Sequence, residues 1–214
     1  MQKIKHRVPT PCLNPVNYLE TVVGIESKFI EKKKEVKVEL NDVILCHEYG
    51  NHGNCTIVAM HNVLNYLLKE KNGGPGLKGR MYEQLKQNAI ALGYKPDLEK
   101  GLSVLKNKKY GKKASENFFE QGKALSKTTV FNTDRLAISL CDRKIPFVLS
   151  LAYGLYYDHS ITVYGYSVFK DVRTSKEYTF LNVCDGWARE ERFVPWTHTG
   201  LHYPVCITYI EPRA

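Results

Sequence analysis

Residues 50–67 read GNHGNCTIVAMHNVLNYL, and the character of the chain changes abruptly at Cys55. Before this residue the chain is rich in glycine and asparagine, which is typical of a turn. After it, apolar residues recur every three or four positions, which predicts a helix of about four turns. Two explanations fit a helix that begins on a cysteine. Either Cys55 is a small apolar residue behind the cap Asn54, or the helix terminus acts on the thiol.

Helical patterns dominate the first half of the remaining chain, and strand patterns dominate the second half. Segments with helical spacing lie at 81–94, at 133–144 and, more weakly, at 97–111, while 112–130 is ambiguous. Segments with strand character lie at 33–45, 147–153, 159–169, 178–187, 192–196 and 203–210. We expect 159–169 and 178–187 to form a hairpin. This segregation predicts an α+β domain rather than alternating βαβ units.

The charge of the chain limits the classes of partner. The formal net charge is +9, and much of it lies in lysine clusters at 31–37 and 106–113. Neither cluster carries repeated interleaved aromatic residues, so we expect a solvated basic surface rather than a nucleic-acid partner. No apolar run approaches the roughly 18–20 residues of a membrane span. The oligomeric state is left open.

Six cysteines are present, and none of them forms a CxxC pair. We therefore do not expect a zinc ribbon or a thioredoxin-like motif. We expect buried free thiols in a reducing compartment. Residues 1–15 contain basic residues but no apolar core of a secretory signal. These features favour a cytoplasmic location, although a leader outside this chain would fit them as well.

Three polar residues stand at the ends of predicted elements. Cys55 opens the central helix, His159 opens the first strand of the hairpin and Asp185 follows the second. A helix terminus and an adjacent imidazole both lower the pKa of a thiol, and the thiolate is the attacking species. A carboxylate beside the imidazole would fix its tautomer. Because paired strands can bring His159 beside Asp185, the pattern predicts a Cys-His-Asp triad.

Several neighbouring residues bear on this predicted triad. Asp158 is a rival carboxylate, but adjacent residues of a strand face opposite sides. Trp187 is expected to pack over the Asp–His pair or to fill the core. His47 and His52 lie near the cysteine in sequence, but no second cluster completes a metal site. We therefore expect neither a metal nor another cofactor.

Together, these segments resemble papain-like cysteine peptidases, especially the bacterial branch that cuts bacteriocin leaders after a double glycine. GNCTIVAMHNVLNYL resembles the nucleophile helix of that family, DHSITVYGY its histidine strand and FLNVCDGW its third motif. The resemblance covers roughly residues 47–196. It implies a papain-like α+β domain over 46–214, with the nucleophile helix packed on an antiparallel sheet. Residues 1–45 would be an N-terminal extension or part of the fold.

The same resemblance implies a cysteine hydrolase that cleaves a peptide or amide bond of a peptide or protein substrate. One position departs from the family pattern. Papain-like enzymes place a glutamine six residues before the cysteine as a donor to the oxyanion, and Tyr49 stands there in this chain. We expect Asn51 to donate instead, with Tyr49 or His52 as alternatives. We expect Asn54 to cap the helix.

Two other functions remain open on the sequence alone. The missing glutamine is compatible with a non-catalytic peptide-binding module that keeps the fold. The same triad would also support acyl transfer to an amine, as in transglutaminase-like relatives of the fold.

Overall fold

The structure is a computed structural model, and it describes residues 12–50, 53–72, 77–98, 100–131, 133–151, 159–197 and 205–213. The helices of this part are α1 Pro15–Tyr18, α2 Cys55–Asn72, α3 Leu77–Ile90, α4 Asn107–Phe118 and α5 Thr133–Asp142. The strands are β1 Ile30–Lys37, β2 Ala124–Thr129, β3 Phe147–Leu151, β4 His159–Asp171, β5 Glu177–Cys184, β6 Arg192–Thr197 and β7 Val205–Pro212. The predicted α+β class is confirmed.

The strands form one antiparallel sheet in the order β2-β7-β3-β4-β5-β6. One edge of β4 pairs first with β3, over 159–163, and then with β1, over 165–171. The switch falls at a bulge beside Gly165, where a Cβ atom would lie 2.3 Å from the carbonyl oxygen of Val36. Only glycine allows the two backbones to approach this closely.

The hairpin of β4 and β5 fixes the geometry of the site, and it forms as predicted. Thr162 of β4 lies opposite Cys184, the last residue of β5. The start of β4 and the end of β5 therefore meet at the same end of the sheet. This arrangement brings His159 and Asp185 together although 26 residues separate them in the sequence.

Helices cover both faces of the sheet, and the alternation of strand side chains decides which core each residue joins. On one face, α2 packs on β3 and β4, and Val148 joins the core that contains Ile57 and Val63. On the other face, the next residue, Leu149, joins the core under α5. α3 and α4 complete the first layer beside α2. α2 is thus held between the sheet and its neighbouring helices.

One predicted element is wrong in position. The helix expected over 97–111 is replaced by short 3-10 turns at Pro96–Leu98 and Val104–Lys106, and the helix proper is α4. Between the turns, Gly101 packs on the backbone of Gly53, so this stretch is a tertiary contact rather than a helix. The ambiguous segment 112–130 contains the end of α4 and the whole of β2.

The described part of residues 1–45 belongs to the same fold. β1 pairs with β4 in the sheet. Leu19 and Ile25 pack in a core with Phe169 and Phe180 of the hairpin. The predicted strand over 33–45 is realised only as β1, which begins earlier and ends at Lys37. No helix in the described ranges is long and apolar enough to cross a bilayer.

Candidate active site

The start of α2 is fixed by the residues immediately before Cys55. Gly53 has a φ of +75°, a conformation that glycine adopts without strain. The carbonyl of buried Asn54 accepts the amides of Ile57 and Val58 at 2.9 and 3.0 Å. These are the first bonds of the helix, so the predicted start at Cys55 is confirmed.

The side chain of Asn54 ties the helix start to two neighbouring elements. Its Nδ2 donates to the carbonyl of Cys46 at 3.0 Å and to the hydroxyl of Tyr82 at 3.1 Å. Tyr82 in turn stacks on Tyr49, with ring centroids 3.8 Å apart. The predicted cap concerns Oδ1 of Asn54 and stays a prediction. Tyr49, six residues before Cys55, has its ring in this stack.

The thiol of Cys55 hydrogen-bonds the imidazole of His159. Burial by itself raises the pKa of the Cys55 thiol, but the bond to His159 and the charge of the imidazolium outweigh it and leave the pKa below its usual value. Burial lowers the pKa of His159, but the bond to Cys55, the thiolate charge and Asp185 raise it above its usual value. Each group therefore stabilises the charged form of the other. Cys55 itself stays partly exposed.

Two further donors serve the same sulfur. The backbone N–H of Ser160 and the hydroxyl of Thr56 both lower the pKa of Cys55. Both residues are buried, and each directly follows a predicted triad residue in the sequence. Sequence reasoning missed them because serine and threonine at these positions have no diagnostic spacing of their own.

Asp185 contacts His159 through its main chain, a contact that the predicted triad did not include. Nε2 of His159 lies 2.7 Å from the main-chain carbonyl oxygen of Asp185. Because a carbonyl only accepts, Nε2 carries the proton, and Nδ1 is left for the thiol. The carboxylate Oδ1 accepts the amides of Trp187 and Ala188 at 2.9 and 3.3 Å, and Oδ2 lies 3.6 Å from Nε of Arg192.

The main chain of Asp185 thus holds the ring, while its carboxylate braces the following turn and raises the pKa of His159 by its charge. The residue type alone could not reveal this division of roles, because every residue has a main-chain carbonyl. The turn itself depends on Gly186, whose φ is +76°.

Trp187 lies over the imidazole of His159. This is the first of the two positions expected from the sequence, the other being the core. The rings of Trp187 and His159 stack with centroids 4.5 Å apart and planes inclined by 29°. The indole is nevertheless 47% exposed, so its outer face meets solvent. One indole face shields the ring contact from water and the other forms part of the surface beside the thiol.

Cys55 differs from the other five cysteines, all of which are free thiols as expected. Burial raises the pKa of Cys12, Cys46 and Cys141 to about 12. Burial also raises the pKa of Cys184 and Cys206. Among the six thiols, that of Cys55 alone has its pKa lowered.

A buried tyrosine hydroxyl interacts electrostatically with this thiol. Burial, together with negative charge on Tyr82 and Cys55, raises the pKa of Tyr94 to about 12. The hydroxyl is buried and has no hydrogen-bond partner within the described part of the protein. It is a donor that the sequence pattern did not indicate, since Tyr94 lies 39 residues beyond the cysteine.

Three residues from the sequence analysis lie outside the described residues: Asn51, His52 and Asp158. The predicted donor role of Asn51 therefore stays a prediction. Among the residues that the structure does describe, no group of three or more histidine, cysteine or acidic side chains is arranged to hold a metal ion.

Comparison of this chain with family models, with curated proteins and with solved structures finds no match.

Proposed function

We propose that the protein is a cysteine hydrolase that cleaves a peptide or amide bond. The observation that carries this proposal is the hydrogen bond between Cys55 and His159, whose pKa values are displaced in opposite directions. A thiolate beside an imidazolium combines a nucleophile with a proton donor for the leaving amine. Burial alone would have produced the opposite displacement for each group.

The reaction follows from the positions of the two groups. The Cys55 thiolate attacks the carbonyl carbon, and the imidazolium of His159 gives its Nδ1 proton to the departing amine. Neutral His159 then takes a proton from water, whose oxygen attacks the thioester and releases the acid. Throughout, the main-chain carbonyl of Asp185 holds Nε2–H and keeps Nδ1 towards the sulfur.

The oxyanion of each tetrahedral intermediate requires donors that are fixed before it forms. We propose the backbone N–H of Cys55, at the start of α2, as the first donor. For the second we keep Asn51 from the sequence analysis. The alternative is the hydroxyl of Tyr94, which has no hydrogen-bond partner among the described residues.

We further propose that this α+β fold is of the papain-like kind. Three features support the proposal: the nucleophile opens a helix that packs on an antiparallel sheet, the histidine opens a strand, and the third residue directly follows the neighbouring strand. The order Cys, His, Asp is that of the family. The substrate proposed on this basis is a peptide or a protein.

Hydrolysis of a fluorogenic peptide library by wild type and by Cys55→Ala tests the function directly. We expect at least one peptide to be cleaved by the wild type and not by the variant. Cys46→Ala, which removes a neighbouring thiol, is the matched control and should keep the activity. If no peptide or amide is turned over while Cys55 still reacts rapidly with iodoacetamide, the hydrolase proposal fails in favour of a peptide-binding module.

A further inference from the structure

A chain of four buried polar side chains runs beneath the thiol. Nδ2 of Asn107 donates to Oγ of Ser150 at 2.9 Å, and that oxygen lies 2.8 Å from Oγ of Ser160. Oγ of Ser160 lies 2.9 Å from Oγ of Thr56, whose hydroxyl hydrogen-bonds the sulfur of Cys55. The four residues come from α4, β3, β4 and α2, and none is more than 4% exposed.

The amide at the far end sets the direction of the first hydrogen bond. An amide nitrogen can only donate, so Ser150 accepts from Asn107. In the two pairs of hydroxyls either oxygen can donate, and we assign the hydrogen of Ser150 to Ser160 and that of Ser160 to Thr56. The hydrogen of Thr56 is then left for the sulfur. The second hydrogen of the Asn107 amide is used as well, since this side chain also donates to Cys206.

Burying these four polar side chains lowers the stability of the protein unless their hydrogen bonds compensate. Hydroxyl groups placed between α2 and the sheet lose their bonds to water, and apolar residues would pack there without that loss. In a water-excluded interior, hydrogen bonds that share donors and acceptors strengthen one another. A donor at the end of such a chain binds an anion better than a lone hydroxyl that is free to rotate.

We propose that Asn107, Ser150, Ser160 and Thr56 act as a positioning chain that holds the hydroxyl hydrogen of Thr56 on the sulfur of Cys55. The inference rests on the proposed role of Cys55 as the nucleophile. None of the four side chains takes part in bond making, so they are positioning residues. The ionisable groups that face the thiol from other elements are His159 in β4, Cys46 in the turn before α2, and Tyr94 after α3.

The test is the pH dependence of iodoacetamide modification at Cys55, which reports the thiol and does not require hydrolysis. Thr56→Val removes the last donor, and because this donor favours the charged form, the pKa should rise, by about one unit. Ser150→Ala leaves Thr56 in place but cuts the chain, and should raise the pKa by about half a unit. Ser150→Thr keeps a hydroxyl and should restore the wild-type midpoint.

Ser167→Ala is the matched control for the loss of a buried hydroxyl. Ser167 lies in β4, as Ser160 does, and is fully buried, and its hydroxyl, which has a single hydrogen, lies 3.3 Å from Oε1 of Glu35 and 3.2 Å from Oδ1 of Asn182. We expect this variant to be less stable than the wild type but to keep the same pH midpoint for the modification of Cys55. Ser160→Ala removes the hydroxyl that β4 contributes to the positioning chain but keeps the backbone N–H of residue 160. It provides a second measurement of the Cys55 pKa if Ser150→Ala does not fold.

A double variant separates a chain from independent effects. If Ser150 acts through Thr56, then Ser150→Ala should not shift the midpoint further in the Thr56→Val background. Additive shifts, or a wild-type midpoint in both Ser150→Ala and Ser160→Ala, would overturn the proposal. If the wild type hydrolysed no peptide, the proposed function would be wrong. The pH midpoints of Cys55 alkylation could still be measured and would still test the positioning chain.

Discussion

Cys46 and Cys55 lie nine residues apart, and each begins a helical segment. Both thiols are partly exposed, and Asn54 connects the two segments by its bond to the carbonyl of Cys46. Burial raises the pKa of Cys46 to about 12, and the charges of Cys55, Cys184 and Asp185 act in the same direction. The pKa of Cys55 is instead lowered.

The difference shows what activates a thiol in this fold. A helix start and partial exposure are common to both positions, so they are not sufficient. Cys46 begins a turn of only four residues, whereas Cys55 begins a helix of 18. The decisive contacts are those that Cys55 alone makes, with His159, the N–H of Ser160 and the hydroxyl of Thr56. For a buried thiol without hydrogen-bond donors, burial raises the pKa. For a buried thiol that accepts hydrogen bonds from charged or polar donors, those donors lower the pKa.

The largest expected effect comes from exchanging the two cysteines for alanine one at a time. Cys55→Ala should abolish both hydrolysis and rapid alkylation at about pH 6, because the remaining five thiols are protonated there. The fold should persist, since alanine is a good helix former. Cys46→Ala should retain both reactions. Labelling mapped by mass spectrometry checks this, and rapid labelling that survives in Cys55→Ala would refute the assignment.

His159→Ala should make Cys55 behave like Cys46. Without the imidazolium, burial dominates and the thiol pKa rises, so alkylation of Cys55 at about pH 6 should slow on the order of 10²–10³-fold. The exposed His47, in the turn that Cys46 begins, supplies the control, and His47→Ala should leave the rate unchanged. Equal rates in His159→Ala and wild type would mean that the imidazole does not ionise the thiol.

The oxyanion donor is tested by substitutions that spare the thiolate. Asn51→Ala should lower turnover on the order of a hundredfold with little change in the alkylation rate, because the donor acts on the intermediate. Tyr94→Phe is the companion variant, since it removes only a hydroxyl. Wild-type turnover in Asn51→Ala together with a large loss in Tyr94→Phe would move the role to Tyr94. Wild-type turnover in both would direct the search to Tyr49 and His52.

The smallest expected effect is that of Asp185→Asn. Where a carboxylate alone fixes the histidine tautomer, its neutral amide costs about 10⁴-fold in turnover. Here the main-chain carbonyl holds Nε2 and survives the change, so we expect a loss of about tenfold in kcat/KM from the missing charge. Asp185→Ala should cost more, because it also removes the acceptor of the Trp187 and Ala188 amides. A loss near 10⁴-fold in Asp185→Asn would contradict this reading.

Parts of the site could be read from the sequence because they are local. The start of α2 follows from a glycine turn and helical periodicity, and the pairing of His159 with Asp185 follows from two adjacent strands of a hairpin. The α+β class follows from the order of these patterns. Each depends on residues near one another in the chain.

Other parts could not be read because they depend on distant contacts or on the main chain. The chain from Asn107 to Thr56 joins four elements, and no spacing in the sequence indicates it. The helix predicted over 97–111 was wrong because the packing of Gly101 on Gly53 is a contact between remote segments. The contact between the main-chain carbonyl of Asp185 and His159 could not be predicted from side-chain types, because every residue has such a carbonyl.

The most direct test of the central claim is the rate of iodoacetamide modification of each of the six cysteines in the wild type, followed from about pH 4 to 10. The account predicts that the Cys55 rate reaches a plateau well below the ordinary thiol pKa of about 8.5, while the other cysteines react only in alkaline solution. A Cys55 midpoint at or above about 8.5, together with no preference for this residue at about pH 6, would contradict it.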